Sequence, residues 1–176
     1  MKNGPIVLAG LALVAVLAAG EAPWRSLTPC LIGKWSGITA TDPDGNLLGP
    51  ADPSDWGCAD HTPQSPSATR SDGVPVPPPT SVCFGPAAPN PTSGATRLSF
   101  ALPAAAQVTV VVYGRKGNGP HGAFAVRTLA NREMMAGRYE IIWDGNDDAG
   151  ARLAPGIYRA ALTAGDVSLC GDIEVR

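Results

Sequence analysis

The stretch from Tyr139 to Leu162, YEIIWDGNDDAGARLAPGIYRAAL, gathers Asp144, Asn146, Asp147 and Asp148 between two strand-like runs. Asp144, Asn146 and Asp148 stand where an EF-hand-like loop places its first three oxygen ligands, at positions 1, 3 and 5. Such a loop then needs Gly at position 6 and a bidentate Glu at position 12. Here Ala149 and Pro155 fall at those places and Gly150 comes one residue late. Asp144, Asn146 and Asp148 stay a calcium candidate, and a turn is the competing expectation. In that reading Trp143 and Tyr158 bury their rings and the Asp144 carboxylate takes backbone N–H groups. Gly145 and Gly150 supply positive backbone angles, and Pro155 and Gly156 open the next strand. No cofactor is expected.

Other residue types that carry chemistry are sparse. The only histidines are His61, in a Pro-rich stretch, and His121, in the Gly-rich run GRKGNGPHG. No nucleophile elbow, H-E-x-x-H pair or phosphate-cradling glycine loop occurs. Asp52, Asp55 and Asp60 surround Trp56, residue types a sugar-hydrolysing carboxylate pair would use, but the pattern is common in loops. The chain reads as a non-enzyme.

Cys30, Cys58, Cys83 and Cys170 form an even set. In an oxidising compartment such a set predicts two disulfides with three connectivities open. If all pair within the chain, one bridge ties Cys170 to the N-terminal part. A zinc site is disfavoured because there is no C-x-x-C pair and CADH has no matching partner.

The N-terminus supplies the oxidising context. MKNGPIVLAGLALVAVLAAGEA has a Lys near its start, an uncharged apolar run and small residues before Glu21, the pattern of a secretory signal peptide over residues 1–22. The run is shorter than the roughly 20 apolar residues that span a bilayer, so no membrane span is expected after cleavage. LAAG is followed by Glu21, so no lipid-bearing Cys stands there. Periplasmic, cell-surface or extracellular location follows.

Composition points to short strands and turns. The 176 residues include 21 Gly and 18 Pro, with 44% hydrophobic, 6% aromatic and 16% charged residues. A net charge of -2, spread over both signs, gives no footprint for nucleic acid or an anionic membrane. Residues 23–60 hold Trp24, Trp35, Trp56 and a hairpin-like passage turning at PDGN. Residues 61–91 are rich in Pro, Ser and Thr and read as a semi-rigid linker, with Cys83 and Phe84 pinning its end. From 92 to 176, TRLSFAL, QVTVVVY, AFAVRTL, RYEIIWD, GIYRAALTA and DVSLCGDIEV recur between Gly, Pro, Asn and Asp. This spacing predicts an all-β, Ig-like or fibronectin-III-like antiparallel sandwich. Alternation assigns Leu98, Phe100, Leu102, Val108, Val110, Val112, Tyr139, Ile141 and Trp143 to its core.

Residues of about 88–176 also carry a family resemblance. Its residues are Asn90 and Pro91 of PNP, Leu102 and Pro103, Val112 and Tyr113, Gly137, the Trp143-Asp144-Gly145 triplet, and Gly150, Pro155, Gly156 and Tyr158 of GARLAPGIY. In this order they resemble the Ig-like domain of the flagellar hook-capping protein, found at the C-termini of exported bacterial proteins. They are similar also to the C-terminal sorting domains of type IX secretion cargo. The loop Gly114–Gly122 is longer than the family's turn. The resemblance implies a non-catalytic module for surface sorting or attachment, with a secretion or cell-surface machinery as partner. An alternative is a structural subunit of an extracellular assembly or filament, self-associating through strand or disulfide exchange by its N-terminal segment. A third is a carbohydrate-binding module stacking sugars on Trp24, Trp35 or Trp56.

Overall fold

The computed structural model describes residues 30–31, 35, 37–61, 77–116 and 122–176. The expected signal peptide, Trp24, residues 62–76 of the Pro-rich stretch and His121 lie outside the described residues. Among the described residues eight strands occur in chain order: β1 (Gly57–Cys58), β2 (Cys83–Phe84), β3 (Thr96–Leu102), β4 (Ala106–Arg115), β5 (Ala123–Met134), β6 (Gly137–Trp143), β7 (Gly156–Ala164) and β8 (Val167–Val175). They form two four-stranded antiparallel sheets, ordered β1-β2-β3-β6 and β5-β4-β7-β8, packed as an Ig-like sandwich.

The period-2 pattern places the core where strand geometry requires it. Leu98, Phe100 and Leu102 of β3, Val108, Val110 and Val112 of β4, and Trp143 of β6 are all fully buried. Tyr139 and Ile141 pack against them, and Tyr139 stacks on Phe100 at 5.3 Å between ring centroids. Each fully buried Val, Leu or Phe side chain contributes roughly 1.5–3 kcal/mol, so this layer dominates the favourable side of folding. The stretch LANREMMAG takes no helical turn: β5 pairs with β4 as far as Met134, with two register shifts along the way. Gly137, at φ 156, then opens β6.

The first sheet starts upstream of residue 92. β1 lies in the segment expected to be a separate N-terminal element, and β2 lies in the expected linker. The reason is tertiary. Phe84 is fully buried opposite Phe100, and the Trp56 ring meets it edge-on at 5.0 Å, so both complete the sandwich core. Beyond β2, Asn90 and Thr41 exchange backbone hydrogen bonds of 2.8 and 3.2 Å. The PDGN passage is a tight hairpin, closed by a Thr41–Leu47 bridge with Gly45 at φ 90.

Candidate functional site

Two regions collect the chemistry-bearing side chains: the aspartate turn between β6 and β7, and a buried cluster on the outer face of the second sheet. In the turn, Asp144 Oδ1 accepts the Asn146 N–H at 3.1 Å and Oδ2 accepts the Asn146 amide at 3.0 Å. The amide thus turns its donor end, not its oxygen, toward Asp144. Asp147 Oδ1 accepts from Ala149 and Ala151 N–H, at 2.9 and 2.8 Å. Asp148 Oδ1 accepts Thr128 N–H of β5 at 3.0 Å while its own N–H donates to Val126 O. The acidic run therefore organises its own backbone and covers part of the β5 edge. Among the described residues no group of three His, Cys, Asp or Glu side chains could hold a metal ion.

The rest of the turn is equally structural in geometry. The buried Trp143 indole donates to Asn146 O at 2.9 Å and meets Tyr158 edge-on at 5.8 Å. Gly145 and Gly150 sit at φ 77 and 82, and a Cβ on Gly145 would lie 2.2 Å from Arg152 Nη1. Arg152 donates to Asp144 O and Ser93 O, tying the turn to the segment before β3. Pro155 immediately precedes Gly156, the first residue of β7. Asp144 is held below the usual carboxylate range, chiefly by the Asn146 N–H.

The second region could not be assembled from spacing. Alternation sends Ala160 and Leu162 of β7 into the core, so Arg159 points out of the sandwich, as do Cys170 and Asp172 on the neighbouring β8. Arg159 is nevertheless 3% exposed and Asp172 0%. Its guanidinium forks onto Asp172, Nε to Oδ1 at 2.6 Å and Nη2 to Oδ2 at 2.8 Å, the bidentate geometry that suits this pair. Nη1 donates to Cys30 O at 2.8 Å, Asp55 lies 3.7 Å away, and the guanidinium sits 5.1 Å from the Trp35 ring centroid. Arg115 of β4 approaches the same ring at 5.6 Å.

What buries this cluster is upstream chain: Cys30, Trp35 and Asp55 lie against Arg159, and two residues after Asp55 the chain enters the first sheet as β1. Asp55 Oδ2 accepts the Asp172 N–H at 3.0 Å, and Trp56 N–H donates to Cys170 O at 2.7 Å. The Trp56 ring then slides over Gly171, where a Cβ would fall 2.1 Å from the indole. Further along β8, Asn90 Nδ2 donates to Asp172 O, Asn90 Oδ1 accepts from Glu174 N–H, and Thr92 pairs with Glu174 O and Arg176 N–H. A strand edge that would otherwise display a row of unpaired groups is closed by the chain itself. Burial, and then the nearby Asp172 charge, push the Asp55 carboxyl up to about 6.

The expected pair of disulfides is one bridge in this structure. Cys58 and Cys83 are directly opposite in the β1–β2 register and are bonded. They lie on the outer face of the first sheet beside Ala101. Cys30 and Cys170 are free thiols, with a hydrogen bond between their side chains. That bond, from the Cys170 S–H, lowers the Cys30 thiol from its ordinary value and raises that of Cys170.

The carboxylates near Trp56 part company. Asp55 belongs to the buried cluster, whereas Asp52 closes a local turn by accepting from Ser54 N–H and Oγ. His61 is exposed at φ 58. Of the loop Gly114–Gly122, the described ends meet through a Lys116 N–H to Gly122 O bond of 2.9 Å.

The two-sheet architecture defines an Ig-like module, and residues 87–167 match the family model described as FlgD Ig-like domain. The matched span begins at the segment that seals β8 and contains the aspartate turn, β7 and Arg159. No curated protein and no solved structure matches the chain.

Proposed function

We propose that this is an exported, non-catalytic bacterial protein whose Ig-like module serves surface sorting or attachment after removal of a signal peptide at residues 1–22. The observation that carries the reading is the FlgD-type domain match on a sandwich whose β8 edge is occupied by its own upstream chain. A sealed module of this kind presents side chains to a secretion or surface machinery and does not lend its β8 edge to a partner strand. Trp35 and Trp56, two of the rings a sugar-binding reading would use, are engaged by Arg159, Arg115, Phe84 and Gly171, which weighs against that reading.

A second reading, a subunit of an extracellular assembly, keeps one specific observation. β6 ends its sheet and carries Ile142, 68% exposed. Expression of the full chain in a Gram-negative host with a type IX system, followed by fractionation and mass spectrometry of the mature protein, tests both. The sorting form of the proposal expects a surface or released protein lacking the signal peptide, with processing from about residue 90 onward; the attachment form expects retention of that part. An unprocessed cytoplasmic chain would overturn both. Ladders on non-reducing gels with filaments by negative-stain microscopy would favour assembly.

A further inference from the structure

The structure leaves a pair of thiols in contact where the upstream chain crosses the second sheet. We infer that Cys30 and Cys170 are a dithiol site that oxidises to a second disulfide, fastening the upstream strap at Cys30 to β8. The two cysteines are far apart in sequence, yet their side chains are hydrogen-bonded to each other. Their backbones are held independently. Arg159 Nη1 grips Cys30 O at 2.8 Å, with the same guanidinium forked onto Asp172, while Trp56 N–H grips Cys170 O at 2.7 Å. The two thiols are thus brought together by main chain anchored on each side. Cys30 is buried, 5% exposed, and Cys170 is half-buried, so exchange takes place as the strap lifts or before it closes.

The oxidant is a disulfide, either a small-molecule one or an oxidised dithiol protein. One thiolate of the pair attacks a sulfur of that oxidant, forming a mixed disulfide and expelling one thiolate. The second cysteine, losing its proton to solvent, attacks the protein sulfur of the mixed disulfide and expels the other thiolate. Two electrons pass from the pair to the oxidant, one S–S bond forms in the protein and one is lost from the oxidant. The product closes a far longer loop than Cys58–Cys83 does, so it constrains the open chain more. The inference draws its physiological setting from the export reading, but the pairing itself is tested without it.

Purified full-length protein, incubated with oxidised glutathione and then with dithiothreitol under conditions that spare Cys58–Cys83, is trapped with an alkylating agent and mapped by peptide mass spectrometry. The expected result is a Cys30–Cys170 cross-linked peptide after oxidation and two alkylated thiols after reduction. Proteolysis within the strap should be about tenfold faster in the reduced form. Cys30→Ser and Cys170→Ser should each abolish the cross-link and the redox dependence of proteolysis. Stable glutathione adducts without the cross-link, bonding of either cysteine to Cys58, Cys83 or a second chain, or proteolysis insensitive to redox state would overturn it. Because the oxidant is supplied in the tube, failure here bears on the pair and not on export.

Discussion

The aspartate turn and the Arg159 cluster both concentrate acidic side chains, and they use them in opposite ways. In the turn, Asp144 and Asp147 accept hydrogen bonds from backbone a few residues away, and those on Asp144 hold its carboxyl below the usual range. In the cluster, Asp55 and Asp172 are taken out of water and meet groups from three separate parts of the chain. Local hydrogen bonding favours the charged carboxylate, whereas burial beside a second carboxylate disfavours it. The two regions therefore respond to truncation with different magnitudes and to pH with opposite signs.

The largest separation should come from Asp172→Ala. It leaves the Arg159 guanidinium buried without its bidentate partner, and urea denaturation should show a loss of about 3–5 kcal/mol. The double change of Arg159 to Met and Asp172 to Leu should recover most of that loss, since a buried pair replaced by apolar groups of similar volume costs little. Equal destabilisation by the single and double variants would show that the ion pair is not what the cluster depends on.

Asp55 comes next, through pH. Its folded pKa is raised to about 6 from 3.8, so the folded state binds the extra proton between those values. Its contribution is present below pH about 4 and is lost as pH rises through about 6, by at most about 3 kcal/mol. The groups facing it are Asp172, Arg159, Asp52 and the Cys30–Cys170 pair. Asp55→Asn keeps an acceptor for the Asp172 N–H, and the stability difference between the variant and the parent should vanish below pH 4 and grow toward pH 6. A difference independent of pH would remove the ionisable group from the account.

Gly171→Ala should cost about 1–3 kcal/mol by forcing the Trp56 ring off β8, visible as altered near-UV circular dichroism and faster proteolysis of the strap. Unchanged signals would mean that the ring does not rest there. The smallest change is expected from Asp144→Ala, which loosens an exposed turn. Its pH dependence has the opposite sign to that of Asp55, because a depressed carboxyl contributes above its unfolded pKa and loses that contribution as pH falls. Millimolar calcium should leave melting of the parent unchanged. A calcium-dependent rise that Asp144→Ala abolishes would turn the turn into a binding site.

Much of the sandwich was legible in the chain. Leu98, Phe100 and Leu102, or Val108, Val110 and Val112, recur with the period at which a strand returns side chains to one face, so pattern alone identifies both element and core. TRLSFAL and GIYRAALTA coincide with β3 and β7. The short strands β1 and β2 were hidden, because two residues carry no period and what recruits them is Phe84 meeting Phe100 and Trp56. The strap was hidden for a related reason. Spacing groups Asp52 and Asp55 with Trp56, but the partners Arg159, Cys170 and Gly171 stand more than a hundred residues away on β7 and β8.

The sequence by itself determined the interactions that close within a few residues: alternation, the PDGN hairpin, and a turn whose Asp and Gly residues satisfy their own backbone. Only the tertiary structure decided the partners that sheet order brings together, namely Arg159 with Asp172 and Asp55, Asn90 with β8, and Cys30 with Cys170. The physical reason is range. A local hydrogen bond is written into neighbouring residues, but burying a charge or pairing a thiol across the chain requires the fold to supply both the partner and the exclusion of water.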